Sequence, residues 1–182
     1  MASGFDNQIQ NRNFLSPTGF KFSLSKTPKA SFFCTSAKIP EITLETISEA
    51  YYLKNFDVPG EKIAYGDLSV KFLVDENLEN YMAIHNWLTG LGYPETTGDF
   101  KDLVTNADGQ RDMSEQFSDG SLSILNSNYR TSAIIKFKDL FPYALTSLDF
   151  DTQNPDIQYF TAQASFKYTI YNIVASDGRT RL

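Results

Sequence analysis

His85 is the only histidine and Cys34 the only cysteine in the 182 residues, which narrows the chemistry this chain could perform. A Ser–His–Asp or Cys–His nucleophile would have to use His85. In helical projection His85 falls at the rim of an apolar stripe, where a core-edge side chain is expected. No G-x-S-x-G elbow surrounds any serine. A zinc site draws on several His and Cys ligands, and the chain has two such residues in all. One thiol cannot form an internal disulfide, which fits folding in a reducing compartment. Asn106, Asp108, Gly109 and Glu115 fall at positions 3, 5, 6 and 12 of a calcium loop, but Val104 stands where the first carboxylate belongs. A solvated acidic loop is therefore expected there. Asp75 and Glu76 are neighbours, so on a strand they point to opposite faces; they mark the start of a helix. A Gly-rich phosphate loop is absent from the sequence. The expectation is a protein with no enzymatic activity, no cofactor and no metal.

The elements around these residues are mostly strands. Phe20, Phe22 and Leu24 alternate with polar residues, and Leu68, Val70, Phe72 and Val74 do the same between Asp67 and Asp75. Further strands are expected over 30–37, over 122–125, over 133–138 and over 145–150. A long final strand should set Phe160, Ala162, Ala164, Phe166, Tyr168 and Ile170 on one face. The single convincing helix is predicted over 77–91, capped by Asn77 and carrying Tyr81, Ile84, Leu88 and Leu91 at helical spacing, with Trp87 beside them. Residues 41–60 read as an exposed hairpin arm, with Val58-Pro59-Gly60 as a turn; a short helix around Glu45–Tyr52 is the competing reading. Residues 93–118 form a long acidic connection, residues 1–17 an N-terminal arm and residues 175–182 a polar tail. The domain proper is expected over 18–174. The fold class is mainly β: an antiparallel β-sandwich or barrel with one flanking α-helix.

Charge is unevenly spread. Residues 1–40 carry five Lys/Arg and one acid, +4; residues 41–119 carry five and sixteen, −11; residues 120–182 carry six and five, +1. A general nucleic-acid binder would show a basic footprint instead. The polar first residues lack the apolar core of a signal peptide, and no apolar run approaches the ~20 residues of a membrane span. Strands of roughly a dozen residues span ~40 Å, longer than one small core requires. Such strands suit pairing with another chain.

Two ordered blocks carry a family signal. The first is Val58-Pro59-Gly60, then Asp67-Leu68-Ser69-Val70-Lys71-Phe72-Leu73-Val74-Asp75-Glu76, then the helix through Trp87. The second is Ala133-Ile134-Ile135-Lys136-Phe137-Lys138-Asp139-Leu140-Phe141-Pro142, then Leu148-Asp149-Phe150-Asp151, then Ile157-Gln158-Tyr159-Phe160 and the last strand. Their order and spacing over residues 20–172 resemble the tail tube protein family of contractile-tailed bacteriophages. The resemblance implies a β-sandwich with one flanking helix, assembled as homo-hexameric rings. The rings stack into a tube through which DNA passes without specific binding. Tail sheath and baseplate or terminator proteins are the implied partners. The implied location is the virion tail, made in the bacterial host cytoplasm, with no membrane involved. Leu68 stands where the family often has an aromatic, and the 93–118 and 1–17 segments are long for a major tube protein. A baseplate-end initiator or minor tube protein is the alternative, and a ligand-binding β-sandwich module is the remaining one. Given a tube, Glu41, Glu45, Glu49 and Asp67 are the candidates for an acidic lumen. Tyr51, Tyr52 and Leu53 are the candidates for inter-subunit contact.

Overall fold

The computed structural model describes residues 14–28, 33–92, 94, 96–105, 109–150 and 159–181. The fold is mainly β, and every strand pairing in it is antiparallel. One strand organises the body: β7, Thr131–Leu145, fifteen residues long. Its first half pairs on one side with β6 (Ser118–Leu125), which pairs in turn with β1 (Phe20–Leu24). On the other side that half pairs with β9 (Ile170–Ala175). The second half of β7 pairs with β8 (Thr161–Lys167), followed by β5 (Leu68–Leu73) and β2 (Cys34–Ala37). Two sheets thus share one long strand.

The alternation that signals these strands also builds the core. Phe22 and Leu24 of β1, Leu68, Val70 and Phe72 of β5, and Ala162, Ala164 and Phe166 of β8 are buried in one cluster with Ile135, Phe137 and Leu140 of β7. Burial of each large side chain contributes about 1.5–3 kcal/mol. A helix, α1 (Glu79–Gly92), lays Ile84 and Trp87 into the same cluster, with the Trp87 and Phe166 rings 6.4 Å apart.

Several local expectations are corrected. Asn77 does not cap α1; the chain turns at Leu78, whose φ is 57°. The first turn is held by reciprocal bonds between Asp75 and Asn80. The Asn80 amide donates to Asp75 Oδ1 at 3.2 Å, and the Asp75 amide donates to Asn80 Oδ1 at 3.3 Å. The buried Asn80 side chain also donates to the Leu73 carbonyl at 2.6 Å, so its burial leaves its amide satisfied. His85 is exposed, because Ile84 and Trp87 take the buried stripe.

The 93–118 connection carries a second helix, α2 (Thr97–Leu103), packed on α1, and a 3-10 turn over Met113–Gln116. Its described end is tied to the body. Trp87 Nε1 donates to the Gln116 carbonyl at 3.0 Å, and the Lys26 ammonium, bonded to the Glu115 carbonyl, sits 5.4 Å above the Trp87 ring. Burial pushes the Lys26 ammonium below its ordinary range, with Glu115 pulling the other way. Val104 is a core residue; Asn106 and Asp108 of the calcium-like pattern lie outside the described residues.

The separate strands expected over 133–138 and 145–150 are one strand ending at Leu145. Asp139, with φ 56°, is absorbed in a bulge where Ser118 and Gly120 face Leu140 and Phe137. The long final strand is broken at Tyr168–Thr169 into β8 and β9. The alternation does not carry through: Ile170 is only half-buried, while Tyr171 and Val174, on opposite faces of β9, are buried. Of the 175–182 tail, residues 176–181 fold back on β9, where Arg181 bridges Val174 and the Ala175 amide donates to the Thr180 carbonyl at 2.7 Å. Asp177 accepts the Arg179 and Thr180 amides and the Thr180 hydroxyl, which hold its carboxyl down to about 2, the hydroxyl bond being the largest cause. Of the 1–17 arm, residues 1–13 lie outside the described residues.

Candidate assembly surface

Strands β3 (Ile42–Glu49) and β4 (Phe56–Tyr65) form a separate two-stranded sheet. Every residue of β3 is exposed, and among the described residues no third strand joins either edge. Ile42, Leu44, Ile47, Phe56 and Ile63 are left about half exposed. At the tip Tyr51, Tyr52 and Leu53 are 71%, 95% and 87% exposed, and Tyr51 meets Phe56 edge to face at 5.8 Å. An isolated two-stranded hairpin is at best marginally stable in water, and unpaired edges are templates for another chain.

The expected turn at Val58-Pro59-Gly60 is instead part of β4. The register slips between Leu44↔Ile63 and Thr46↔Pro59, so three residues of β4 oppose Glu45. Gly60 is what permits this. A Cβ there would lie 2.7 Å from the Glu45 carbonyl oxygen, closer than real contacts allow. Bulges of this kind twist and re-aim a ribbon. Reversal of the chain occurs at residues 50–55, between the paired ends Glu49 and Phe56.

The root of the hairpin is packed and hydrogen-bonded to the body. Tyr65 stacks edge to face with Tyr168 and Tyr171, at 6.1 and 5.6 Å, and both of those rings touch Phe137 in the core. Tyr171 donates its hydroxyl to the Pro40 carbonyl at 3.2 Å and Tyr168 to the Gly66 carbonyl at 2.9 Å. The Gly66 amide donates to the Glu41 carbonyl at 2.9 Å. Burial, reinforced by the neighbouring Tyr171 and Tyr65, pushes the Tyr168 phenol up to about 12.

Beside the root, Lys167 donates to Asp67 Oδ1 and Tyr143 donates to Asp67 Oδ2 at 2.6 Å, with the ammonium 5.2 Å from the Tyr143 ring. The Lys167 bond, then the Tyr143 bond, holds the Asp67 carboxyl below its usual range; bonding to Asp67 raises both Lys167 and Tyr143. Of the four candidate acids, Glu45 and Glu49 stand exposed on β3 and Glu41 stands exposed just before it, and Asp67 is separated from them in an ion pair. The Tyr65–Tyr168–Tyr171 cluster and the Asp67–Lys167–Tyr143 clasp were not foreseen. Tyr65 and Asp67 find their partners far along the chain, 76 residues away for Tyr143 and 100 for Lys167, and only the tyrosine richness hints at them.

Chemical machinery is sparse by comparison. Among the described residues no group of three His, Cys, Asp or Glu side chains is gathered as a metal site needs. Burial raises the Cys34 thiol to about 11, which keeps it protonated and unreactive at neutral pH.

Comparison with known proteins agrees with this picture. No curated protein sequence matches the chain. Among solved structures, the tube-terminating cap of the anti-feeding prophage superposes with a TM-score of 0.64 at 18% identity, covering 96% of this chain and 99% of the cap. The sheath–tube complex of an extracellular contractile injection system (PVC), in its extended state, gives 0.56 at 15% identity, covering 89% and 92%. The sheath/tube terminator of the same system gives 0.55 at 16%, covering 91% and 100%. These likenesses establish the fold as tail-tube-like. The sequence model of the phage tail tube protein family matches residues 3–174, nearly the whole chain, and the protein belongs to that family.

Proposed function

We propose that this chain is a structural ring subunit of a contractile tail or injection tube and has no enzymatic activity. In this reading it forms homo-hexameric rings, the rings stack, and DNA passes through the bore. The observation that carries it is the β3–β4 hairpin, an exposed two-edged apolar ribbon fixed to the body by a tyrosine root. Its tip residues Tyr51, Tyr52 and Leu53 are buried against a neighbouring subunit or the adjacent ring. Glu41, Glu45 and Glu49 line the bore, with Asp67 adding least because Lys167 already offsets its charge. An acidic wall repels phosphate, whereas a few Lys or Arg contacts per subunit, repeated around every ring, would hold DNA fast. Sheath and baseplate or terminator proteins cover the outside and the ends, and the protein resides in the assembled particle after synthesis in the bacterial cytoplasm.

A second reading, a tube-terminating cap, is favoured by the higher superposition with a cap than with a tube, 0.64 against 0.56, and by the near-complete coverage of both chains. Negative-stain microscopy and light scattering of the purified chain test both. Long stacked tubes support the tube subunit, and single rings that refuse to stack support the cap. A monomer at all concentrations contradicts both.

A further inference from the structure

The apolar residues of the arm change face halfway along it. Nearest the body Ile42 pairs with Tyr65 and Leu44 with Ile63, and these four side chains share one face of the ribbon. Beyond the irregularity at Glu45, that face carries Thr46 with Pro59 and Ser48 with Asp57. The reverse face there carries Ile47 with Val58 and Glu49 with Phe56. Three residues of β4 stand against one of β3, an excess of two, so the alternation passes the irregularity with its parity unchanged. The change of face is therefore written into both strands at the same level. It leaves a root patch on one face and a tip patch, extended by Tyr51 against Phe56, on the other. Ile42, Leu44, Ile47, Phe56 and Ile63 each keep about half their surface in water, so both patches are open.

We propose that the tip patch of one copy of this chain packs on the root patch of the next, so that successive arms overlap like shingles. A ribbon that lies on a single surface needs its apolar residues on one face only, and this ribbon divides them between two. Its own tip cannot cover its own root, because β3 and β4 run unbroken between them. Every copy carries one patch of each kind, so a second copy satisfies both with the residues already present. The root patch continues from Tyr65, which is packed on Tyr168 and Tyr171, and so lies on the side of the arm that meets the body. The two patches are different surfaces, which makes the contact head-to-tail; closed into a ring, it leaves no patch uncovered. Glu41 and Glu45 have the parity of the reverse of the root patch and stay in water, as an acidic bore requires. The proposal rests on the ring-forming reading above and names the surface that receives the arm's tip.

The test mixes two full-length chains in a Cys34→Ser background. One carries Ile47→Cys, and the other, made larger by a tag, carries Ile63→Cys. Both positions are about half exposed, so neither change touches the core. Facing sheets lie about 10 Å apart, and a bis-maleimide of that span is expected to join the two chains into a heterodimer on a denaturing gel. Each chain has one thiol, so no link can close within a molecule. Links between like chains alone would mean a two-fold contact and would overturn the proposal; absence of any link would overturn it too. Microscopy of the same samples separates the two ideas. Rings or tubes without the heterodimer remove the arm-on-arm contact and leave the tube reading intact, and a heterodimer without rings does the reverse. Complementation gives a second readout. Ile47→Lys alone, or Ile63→Asp alone, should raise the concentration needed for assembly at least about tenfold, because each buries an unpaired charge. An equal mixture of the two chains should assemble again, since the altered tip of one meets the altered root of the other and their unaltered surfaces meet in turn. No recovery in the mixture, with each chain melting as the parent does, would overturn the proposal.

Discussion

The body and the β3–β4 arm are both antiparallel and both rich in apolar residues, yet they dispose of them differently. In the body Phe72, Phe137 and Phe166 are fully buried between sheets and helix. On the arm Ile47, Phe56 and Ile63 keep about half their surface in water, and among the described residues the strands that bear them pair only with each other. The body can satisfy itself; the arm cannot. The difference separates residues that serve stability from residues that serve assembly, and the boundary between them is the tyrosine root.

The sharpest way to break this division is to damage each side and compare. Phe137→Ala removes a ring packed 5.2 Å from Tyr168 and 5.7 Å from Tyr171, and should lower unfolding free energy by about 3–5 kcal/mol in urea titration. Replacing residues 50–55 by Asn-Gly, which suits a two-residue hairpin turn between the paired Glu49 and Phe56, should change stability by less than about 0.5 kcal/mol and abolish stacking. If the tip replacement costs as much as the core truncation, the arm belongs to the core and the division fails.

Gly60→Val tests the bulge. The added carbons meet the Glu45 carbonyl, and relief requires the register between Leu44 and Thr46 to change. A local cost of about 1–3 kcal/mol is expected, seen as faster amide exchange in β3 and β4 with the body's melting unchanged. Loss of the whole fold would show the arm and body to be one cooperative unit.

At the root, Tyr171→Phe removes the donor to the Pro40 carbonyl and should cost about 1 kcal/mol. Its effect should reach the arm's exchange rates as well as the melting curve, because the bond ties the chain entering β3 to β9.

The smallest effect concerns pH. Asp67 is held below its unfolded value, so its contribution is present above the unfolded carboxyl range near pH 4 and is lost as pH falls through the folded value. Lys167 is raised, so its contribution is complete below the unfolded ammonium range near pH 10 and is lost as pH climbs through the folded value. Lys167→Met should flatten both limbs of the stability profile slightly, since the pair is exposed and screened. An unaltered profile would show that the clasp does nothing in solution.

How much of this was readable from residues alone depended on burial. β1 and β5 have one face in the core, so apolar and polar residues alternate without interruption. The same logic misled at Pro59-Gly60. That pair signals a turn in most contexts, but here the missing amide and the bare Cα serve a bulge on a two-stranded ribbon. Likewise the two strands expected over 133–138 and 145–150 are one, because β7 runs on through Asp139 and Pro142 with a register irregularity beside each. The final strand's alternation in the sequence runs on past Tyr168, but the chain breaks at Thr169 and the strand after it buries Tyr171 and leaves Ile170 half-exposed. Charge density points to Glu41, Glu45, Glu49 and Asp67 alike, and does not reveal that Lys167 folds back onto Asp67. The family resemblance held because it rested on the order of blocks, which survives such local departures.

In the proposed assembly the arm is completed by another subunit. Hydrogen exchange of residues 42–65, measured in the dilute monomer and in the assembled particle, tests it most directly. The account predicts that β3 and β4 exchange quickly in the monomer and are strongly protected on assembly, with β5 and β7 unchanged between the two. An arm already protected in the monomer, or one that still exchanges quickly in rings and tubes, would contradict it.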